Sequence, residues 1–197
     1  MTLDHSPRAG SGSAHGPAED ADLVARCLAA DEEAWGALVA RYADYVYAVA
    51  SRGFHLSPDE AEEVLQDTML QVYEHLADYR GTGALRAWIG TIAQNASRQR
   101  LRGRSRRGET ALPDEIPDAS QQRALDAVEE AFQTRSALAQ LDLPCRQVLE
   151  QFFLGNRKYA EIASDLGIPA GTVASRISRC LVRLRRLLGG VSSGRKK

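Results

Sequence analysis

Apolar residues recur every three or four positions along most of the chain after Asp20, with polar residues between them. This spacing is typical of helices that bury one face. Alternating runs of β-branched residues and the Asn-Gly or Asp-Gly signals of hairpins do not occur in the sequence. The pattern therefore predicts an all-α fold.

The predicted helices form two groups, which we interpret as two small domains. Ser57, Pro58 and Glu60 form a strong helix start, since serine can cap, proline suits the first position and glutamate can complete a capping box. Asp31 is a predicted N-cap, and Asp142 to Pro144 begins another helix. The first group comprises helices at about 21–29, 32–50, 58–79 and 85–102. The second comprises 121–141, a helix from 143 to near 155–156, and a final helical pair.

The final pair, within Tyr159–Arg186, has the features of a helix-turn-helix. Ala163 is small where two helices would cross, and Gly167 suits a turn that needs a positive φ. The second helix begins near Gly171 and carries two stripes. Its apolar stripe comprises Val173, Ile177, Cys180, Leu181, Leu184 and Leu188. Its basic stripe, which suits nucleic acid, comprises Arg176, Arg179, Arg183 and Arg186.

Charge is segregated along the chain although the net charge is only −1. Seven arginines and no acid lie within 86–108, whereas seven acids and one arginine lie within 109–130. This layout predicts two basic surfaces and a flexible acidic linker between them. The predicted organisation is a disordered tail over 1–19, domains over 20–107 and 121–190, a linker over 108–120 and a basic tail over 191–197.

Two helices of the first domain carry polar faces with possible functions. Leu70 lies in the middle of a polar face, where it is either a stray exposed leucine or part of a protein contact. Trp88 has core spacing and packs by default, with base stacking as the alternative. Amides interleaved with arginines suit bases and phosphates better than plain solvation. These polar residues are Thr91, Gln94, Asn95, Arg98 and Arg102.

The sequence contains no recognisable catalytic or metal-binding arrangement. P-loop, GxGxxG and GxSxG motifs do not occur, and the four histidines have no partners at metal-ligand spacing. We therefore expect no enzymatic activity, no cofactor and no metal. The odd number and wide spacing of Cys27, Cys145 and Cys180 predict ordinary buried thiols in a reducing cytoplasm. The sequence has neither a membrane-length apolar run nor a signal-peptide core, so we expect a cytoplasmic protein without membrane insertion.

Three segments together resemble bacterial sigma factors of the extracytoplasmic-function group, over about Asp20–Leu188. DEAEEVLQDTMLQVYEHLADYRG (59–81) resembles the segment that binds the polymerase clamp. LRAWIGTIAQNASRQRLR (85–102) resembles the segment that melts and reads the −10 element. The region from Leu141 to Leu188 resembles the segment that reads the −35 element. The order and spacing of the three segments make the resemblance specific.

The resemblance implies a dissociable specificity subunit of RNA polymerase that binds promoter DNA, the β′ clamp, the β flap and an anti-sigma protein. The implied clamp-binding residues are Glu63, Gln66, Asp67, Leu70, Gln71 and Glu74. The implied −10 DNA-binding residues are Arg86, Trp88, Thr91, Gln94, Asn95, Arg98 and Arg102. The implied −35 DNA-binding residues are Gly171, Thr172, Ser175, Arg176, Arg179 and Arg183.

Two other classes of function compete with this interpretation. A dimeric helix-turn-helix regulator that is not a polymerase subunit would leave the half of the chain over 59–102 unexplained. An adaptor that binds only protein would leave both arginine-rich surfaces unexplained. The sequence also departs from the family at Gln99, Arg100, Ala174 and Ser178, which concerns the promoter bases that are read rather than the fold.

Overall fold

The computed structural model describes residues 17–81, 84–106 and 119–191. Within these ranges every regular element is helical, as predicted. The chain divides into two compact units at Phe132 and Gln133. The α-helices of the described ranges are α1 (Pro17–Leu28), α2 (Glu32–Ala48), α3 (Pro58–His75), α4 (Leu85–Arg106), α5 (Ala119–Ala139), α6 (Leu143–Leu149), α7 (Tyr159–Leu166) and α8 (Ala170–Val191).

The predicted helix caps are present at three places. The Asp31 carboxylate accepts a hydrogen bond from the Ala34 amide at 3.1 Å. Ser57 and Glu60 form the reciprocal capping box at the start of α3. Asp142 accepts from the Cys145 amide at 2.9 Å. Each cap satisfies an amide that the first turn of a helix leaves without a partner, which confirms these predicted starts.

The helix ends differ from the predicted ends. The predicted continuation of α2 to residue 50 is partly a π-helical turn, Val49–Gly53. A second π-helical turn, Glu150–Leu154, follows α6, and the amide of Gly155 donates to the carbonyl of Glu150, five residues earlier. The predicted continuation of α3 to Tyr79 becomes a 3₁₀ turn, Leu76–Asp78. Such turns keep a helix-like apolar spacing, so periodicity does not distinguish them from α-helix.

The core of the first unit forms around α2, α3 and α4. Leu38, Val46, Val72, Leu85 and Ile89 are fully enclosed at its centre. Each enclosed aliphatic side chain of this kind contributes roughly 1.5–3 kcal/mol through burial. This packing fixes which faces of α3 and α4 remain at the surface.

The second unit contains the predicted helix-turn-helix. Val148 of α6, Ile162 of α7 and Val173 of α8 are fully buried in one core. Gly167 has φ of 62° and ends α7, as the turn signal predicted. On the predicted apolar stripe, Ile177 is also buried in this core. The basic side of α8 therefore remains at the surface.

The N-terminal part of α5 packs in the first unit, although the predicted second domain begins at residue 121. Leu125, Val128 and Phe132 belong to the core of the first unit, whereas the second unit begins at Gln133. The three side chains follow a helical spacing of three and four residues, so they form one apolar stripe. The predicted N-terminal tail lies outside the described residues except for 17–19, and so do most of the predicted linker and the C-terminal tail after residue 191.

The predicted thiol state is wrong for two of the three cysteines. Cys145 of α6 and Cys180 of α8 form a disulfide across 35 residues of sequence. Cys27 is a buried free thiol, as predicted. The wide spacing of the cysteines was misleading because the packing of α6 against α8 brings distant positions together.

Candidate nucleic-acid interface

The outward face of α3 carries an apolar centre with polar surroundings. Leu70 is 58% exposed. Glu63, Gln66, Asp67 and Glu74 are exposed as well, and Gln71 is half-buried. The structure thus brings the six predicted clamp-binding residues onto one helix surface.

Tyr73 extends this surface and was not among the predicted residues. Its side chain is 64% exposed, and its ring centroid lies 4.9 Å from that of Trp35. Tyr73 is three positions after Leu70, so the two side chains are neighbours on the helix. The spacing of Tyr73 from Leu70 therefore indicated its place on this surface. An aromatic residue in an apolar pattern, however, is usually buried in the core.

Ion pairs join α3 to the C-terminal half of α4. Arg100 pairs with Glu63, and Arg104 lies 3.3 Å from a carboxylate oxygen of Glu60. Burial raises the pKa of Glu60, but hydrogen bonds from Ser57 and the nearby arginines outweigh burial and hold the pKa below its usual value. One predicted clamp residue, Glu63, therefore also ties the two helices together.

Gln94, Asn95 and Arg98 form a hydrogen-bonded group on α4. Arg98 donates to the Asn95 and Gln94 side-chain oxygens, both at 3.2 Å. Its guanidinium lies 5.6 Å from the ring centroid of Phe54. The amides and the ring together orient the cation, which reduces the side-chain entropy that a bound phosphate or base would otherwise remove.

A surface groove of about 390 Å³ lies between the end of the 3₁₀ turn and α4. The half-buried Trp88 lines it, with its ring centroid 5.6 Å from that of Tyr79. Thr91 also lines the groove and donates its hydroxyl to the Ala87 carbonyl at 2.9 Å. Trp88 both packs against the core and borders an open groove, so its predicted packing role and the alternative stacking role are geometrically compatible.

The remaining two predicted −10 residues differ in exposure. Arg102 is exposed near the end of α4. The side chain of Arg86 is only 14% exposed and pairs with Glu129 of α5. Arg86 therefore does not share a surface with the hydrogen-bonded group in this structure, and the linear sequence gave no sign of its partner 43 positions away.

The predicted −35 residues lie along α8. Gly171, Ser175, Arg179 and Arg183 are exposed, and Thr172 and Arg176 are half-buried. Ser175 donates to the Thr172 carbonyl at 3.0 Å, and Arg179 donates to the Ser175 carbonyl at 3.3 Å. Arg179 and Arg183 project from the exposed side of the helix and Arg176 flanks its buried stripe, which suits a helix that enters a major groove.

The second unit also exposes an apolar patch that was not predicted from the sequence. Leu154 is 77% exposed and Phe153 is 56% exposed, in and beside the π-helical turn. Phe152 lies beneath them and contacts Phe153 and Tyr159 through its ring. A Phe-Phe-Leu run before a glycine predicts a buried helix end, so only the structure reveals that two of the three side chains face outward.

The described residues contain neither a helix that could span a membrane nor a group of side chains that could hold a metal ion. Among the helices that the structure describes, none is long and apolar enough to cross a membrane. Across 17–81, 84–106 and 119–191, histidine, cysteine and carboxylate side chains form no group of three that could hold a metal ion.

Comparison with known proteins decides the family. The model of Sigma-70 region 2 matches residues 38–107, and that of Sigma-70 region 4 matches residues 131–184. The ECF RNA polymerase sigma factor SigM of Mycobacterium tuberculosis is 31% identical over 192 residues, covering 98% of this chain and 95% of SigM. The chain belongs to the extracytoplasmic-function sigma factors. This sigma factor binds core RNA polymerase and directs promoter-specific initiation of transcription.

A second relative gives the same family. The ECF RNA polymerase sigma factor RpoE of Cereibacter sphaeroides is 32% identical to this sigma factor over 161 residues, which covers 79% of this chain and 87% of RpoE. The structure of CnrH in complex with the cytosolic domain of CnrY is 28% identical, covers 88% of this chain and 99% of that chain, and has a TM-score of 0.38. Sigma factors are initiation factors rather than enzymes. The region 2 match also explains the half of the chain that a helix-turn-helix regulator leaves unexplained.

Proposed function

We propose that this sigma factor assigns polymerase binding, −10 capture and −35 recognition to α3, α4 and α8 respectively. The observation that carries the proposal is the exposure of Leu70 at the centre of an acidic and amide surface, within the region 2 match. An apolar centre with a polar rim is typical of a specific protein interface. The same domain presents its arginine-rich surface on a different helix, so one protein and one DNA contact can form together.

The α3 surface binds the β′ clamp in this proposal. Leu70 supplies the apolar contact, and Tyr73 adds aromatic area beside it. Glu63, Gln66, Asp67, Gln71 and Glu74 supply the surrounding charges and amides. Their net negative charge favours a basic partner surface and speeds association with it.

The α4 surface captures unpaired bases of the −10 element. The groove between Tyr79, Trp88 and Thr91 has aromatic walls, on which bases of any sequence can stack. The neighbouring group of Gln94, Asn95 and Arg98 offers amide donors and acceptors with a cation. Stacking and hydrogen bonds of this kind offset the few kcal/mol that unstacking a base costs.

The helix-turn-helix binds the −35 element. The first turns of α8 present Gly171, Thr172, Ser175 and Arg176 at the N-terminal end of the helix, which in this motif approaches base edges. Arg179 and Arg183 lie further along the exposed side, where phosphates line a major groove. The acidic linker predicted over 108–120 passes through the basic channel of polymerase in this proposal.

The proposal also covers the β flap, an anti-sigma protein and the subcellular location. The exposed patch of Phe153, Leu154 and Tyr159 suits the β flap as a second polymerase contact. The family implies an anti-sigma protein that holds the factor inactive. We place its action in the cytoplasm with polymerase, and we assign it no catalytic activity, cofactor or metal of its own.

Reconstituted run-off transcription tests the proposed function. Core polymerase is mixed with genomic fragments in the presence and absence of the chain. We expect discrete start sites only in its presence, and a template already opened at −10 should reduce the need for melting. Accurate initiation without the chain, or none with it, would contradict the proposal.

A further inference from the structure

We propose that the first domain has a helix-docking surface occupied by the N-terminal part of α5, and that this docking withholds Arg86 from promoter DNA. The surface consists of Tyr42, Tyr45, Gly53 and Arg86. Its occupant is the stripe of Leu125, Val128, Glu129 and Phe132 within the same compact unit. The inhibitory part of the inference rests on the proposed role of α4 in −10 binding.

Aromatic contacts make the first half of the docking surface. The ring of Phe132 stacks on that of Tyr42, with 5.8 Å between centroids and an angle of 14°. It also lies 5.0 Å from the ring of Tyr45. Val128, one turn earlier, is only 5% exposed. A helix with these side chains inward covers apolar area that would otherwise face water.

Two glycines make room for this packing. A Cβ atom at Gly53 would lie 2.4 Å from a methyl carbon of Leu125, so the absence of a side chain allows α5 to approach. A Cβ atom at Gly90 would lie 2.5 Å from the Tyr45 hydroxyl. That hydroxyl in turn donates to Glu129 at 3.4 Å. Gly53 thus makes room for α5 itself, and Gly90 makes room for the tyrosine that binds Glu129 of α5.

Charge complementarity selects the same occupant. Glu129 forms an ion pair with Arg86, and both side chains are mostly buried, at 21% and 14% exposure. The Arg86 guanidinium also lies 5.6 Å from the ring centroid of Phe132. Burial raises the pKa of Tyr45 more than Arg86 lowers it, so the phenol stays protonated and donates to the carboxylate. Glu129 therefore occupies the position that a DNA phosphate would take on Arg86.

The consequence is a competition between α5 and DNA. A phosphate can reach Arg86 only when Glu129 and Phe132 have moved away, because together they cover its charged end. Moving Glu129 alone would leave a mostly buried arginine without its carboxylate, which is unfavourable. We therefore expect α5 to leave as a unit when the factor engages DNA on polymerase.

A reversible crosslink tests the inference. The double variant Gly53→Cys with Leu125→Cys suits a disulfide, because a Cβ at residue 53 would lie 3.2 Å from the Leu125 Cγ, near which the cysteine sulfur would sit. Mild oxidation should crosslink the free full-length chain, as read by mass spectrometry after proteolysis. The oxidised and reduced chains are then compared in run-off transcription with core polymerase. The two single-cysteine variants receive the same treatment and correct for changes in Cys145–Cys180.

The expected result is efficient crosslinking and at least a tenfold loss of transcription that reduction restores. No crosslink in the free chain would overturn the docking, and full activity of the crosslinked chain would overturn its inhibitory role. An inactive parent chain would instead refute the proposed function, and the inhibitory role with it. A second test compares two single variants that remove the same charge. Glu129→Ala breaks the ion pair with Arg86, whereas Glu130→Ala, at the neighbouring exposed position, leaves it intact. Only Glu129→Ala should increase transcription, at least twofold, and equal effects of the two would count against the competition.

Discussion

Arg183 on α8 reaches back to Asp142, with 2.5 Å between its Nη1 atom and the Oδ2 atom of the carboxylate. Asp142 also caps α6 by accepting from the Cys145 amide. One carboxylate thus starts α6 and positions an arginine that we expect at the −35 element. The stability of the second domain and its DNA contact share this carboxylate.

Arg183→Ala should affect DNA binding more than folding. Both side chains of the ion pair are more than half exposed, so its loss should cost below about 1 kcal/mol of unfolding free energy. Asp142→Ala should cost about 1 kcal/mol or more, because it also removes the cap. Thermal melts of both variants and of the double variant measure the coupling. A larger loss of unfolding free energy for Arg183→Ala than for Asp142→Ala would contradict this division of roles.

The fold was largely predictable because its signals are local. Apolar spacing and the caps at Asp31, Ser57 and Asp142 mark helices within a few residues. Gly167 marks the turn because few other residues adopt a positive φ at low cost. The two π-helical turns were not predictable, since the extra residue that each accommodates keeps a helical pattern on either side.

The helix faces that carry the candidate site residues could be predicted from the sequence, but the residues that they contact could not. The sequence places Gln94, Asn95 and Arg98 on one helical face, and the structure adds their mutual hydrogen bonds. Arg86 is an arginine of α4 like Arg98, yet its environment depends on Glu129, whose position follows from tertiary packing. The Cys145–Cys180 bond has the same origin. Contacts between distant residues carry no local signal in a single sequence.

Leu70→Glu should weaken polymerase binding by at least tenfold, about 1.4 kcal/mol, while leaving the melting curve unchanged. Leu70 is exposed, so a charge there costs little in the free chain, within about 0.5 kcal/mol. At the centre of a dry interface the same charge is desolvated without a partner. Binding to core polymerase is measured by fluorescence anisotropy.

Leu28→Glu is the matched control for this substitution. Leu28 is 53% exposed and lies on α1 rather than on α3, so the same leucine-to-glutamate change can be made on a different helix. We expect polymerase affinity to remain at the parental value. Equal losses for the two variants would indicate a general charge effect, and no loss for Leu70→Glu would refute the assignment of α3 to the clamp.

Reduction of the Cys145–Cys180 disulfide should destabilise the second domain. The bond closes 35 residues of sequence, for which the loop-entropy relation gives a stabilisation of about 4 kcal/mol, within the usual range for disulfides. Melts with and without a dithiol reductant measure the difference, and Cys145→Ala should melt like the reduced chain. Cys27→Ala leaves the bond intact and should keep the response to reductant. An identical melt in both conditions would show that the bond contributes no stability.

Arg176→Ala should impair −35 binding, with Arg185→Ala as its control. Nine residues separate the two arginines, so they lie on opposite sides of α8 while removing the same charge. Loss of a base contact should cost about 1–3 kcal/mol and relax specificity at one position, whereas loss of a phosphate contact should weaken all sequences alike and reduce the salt slope by about 1. A panel of −35 duplex variants at several salt concentrations separates these outcomes. If Arg176→Ala and Arg185→Ala bind every duplex equally well, Arg176 is only a solvated charge and α8 reads DNA through other residues.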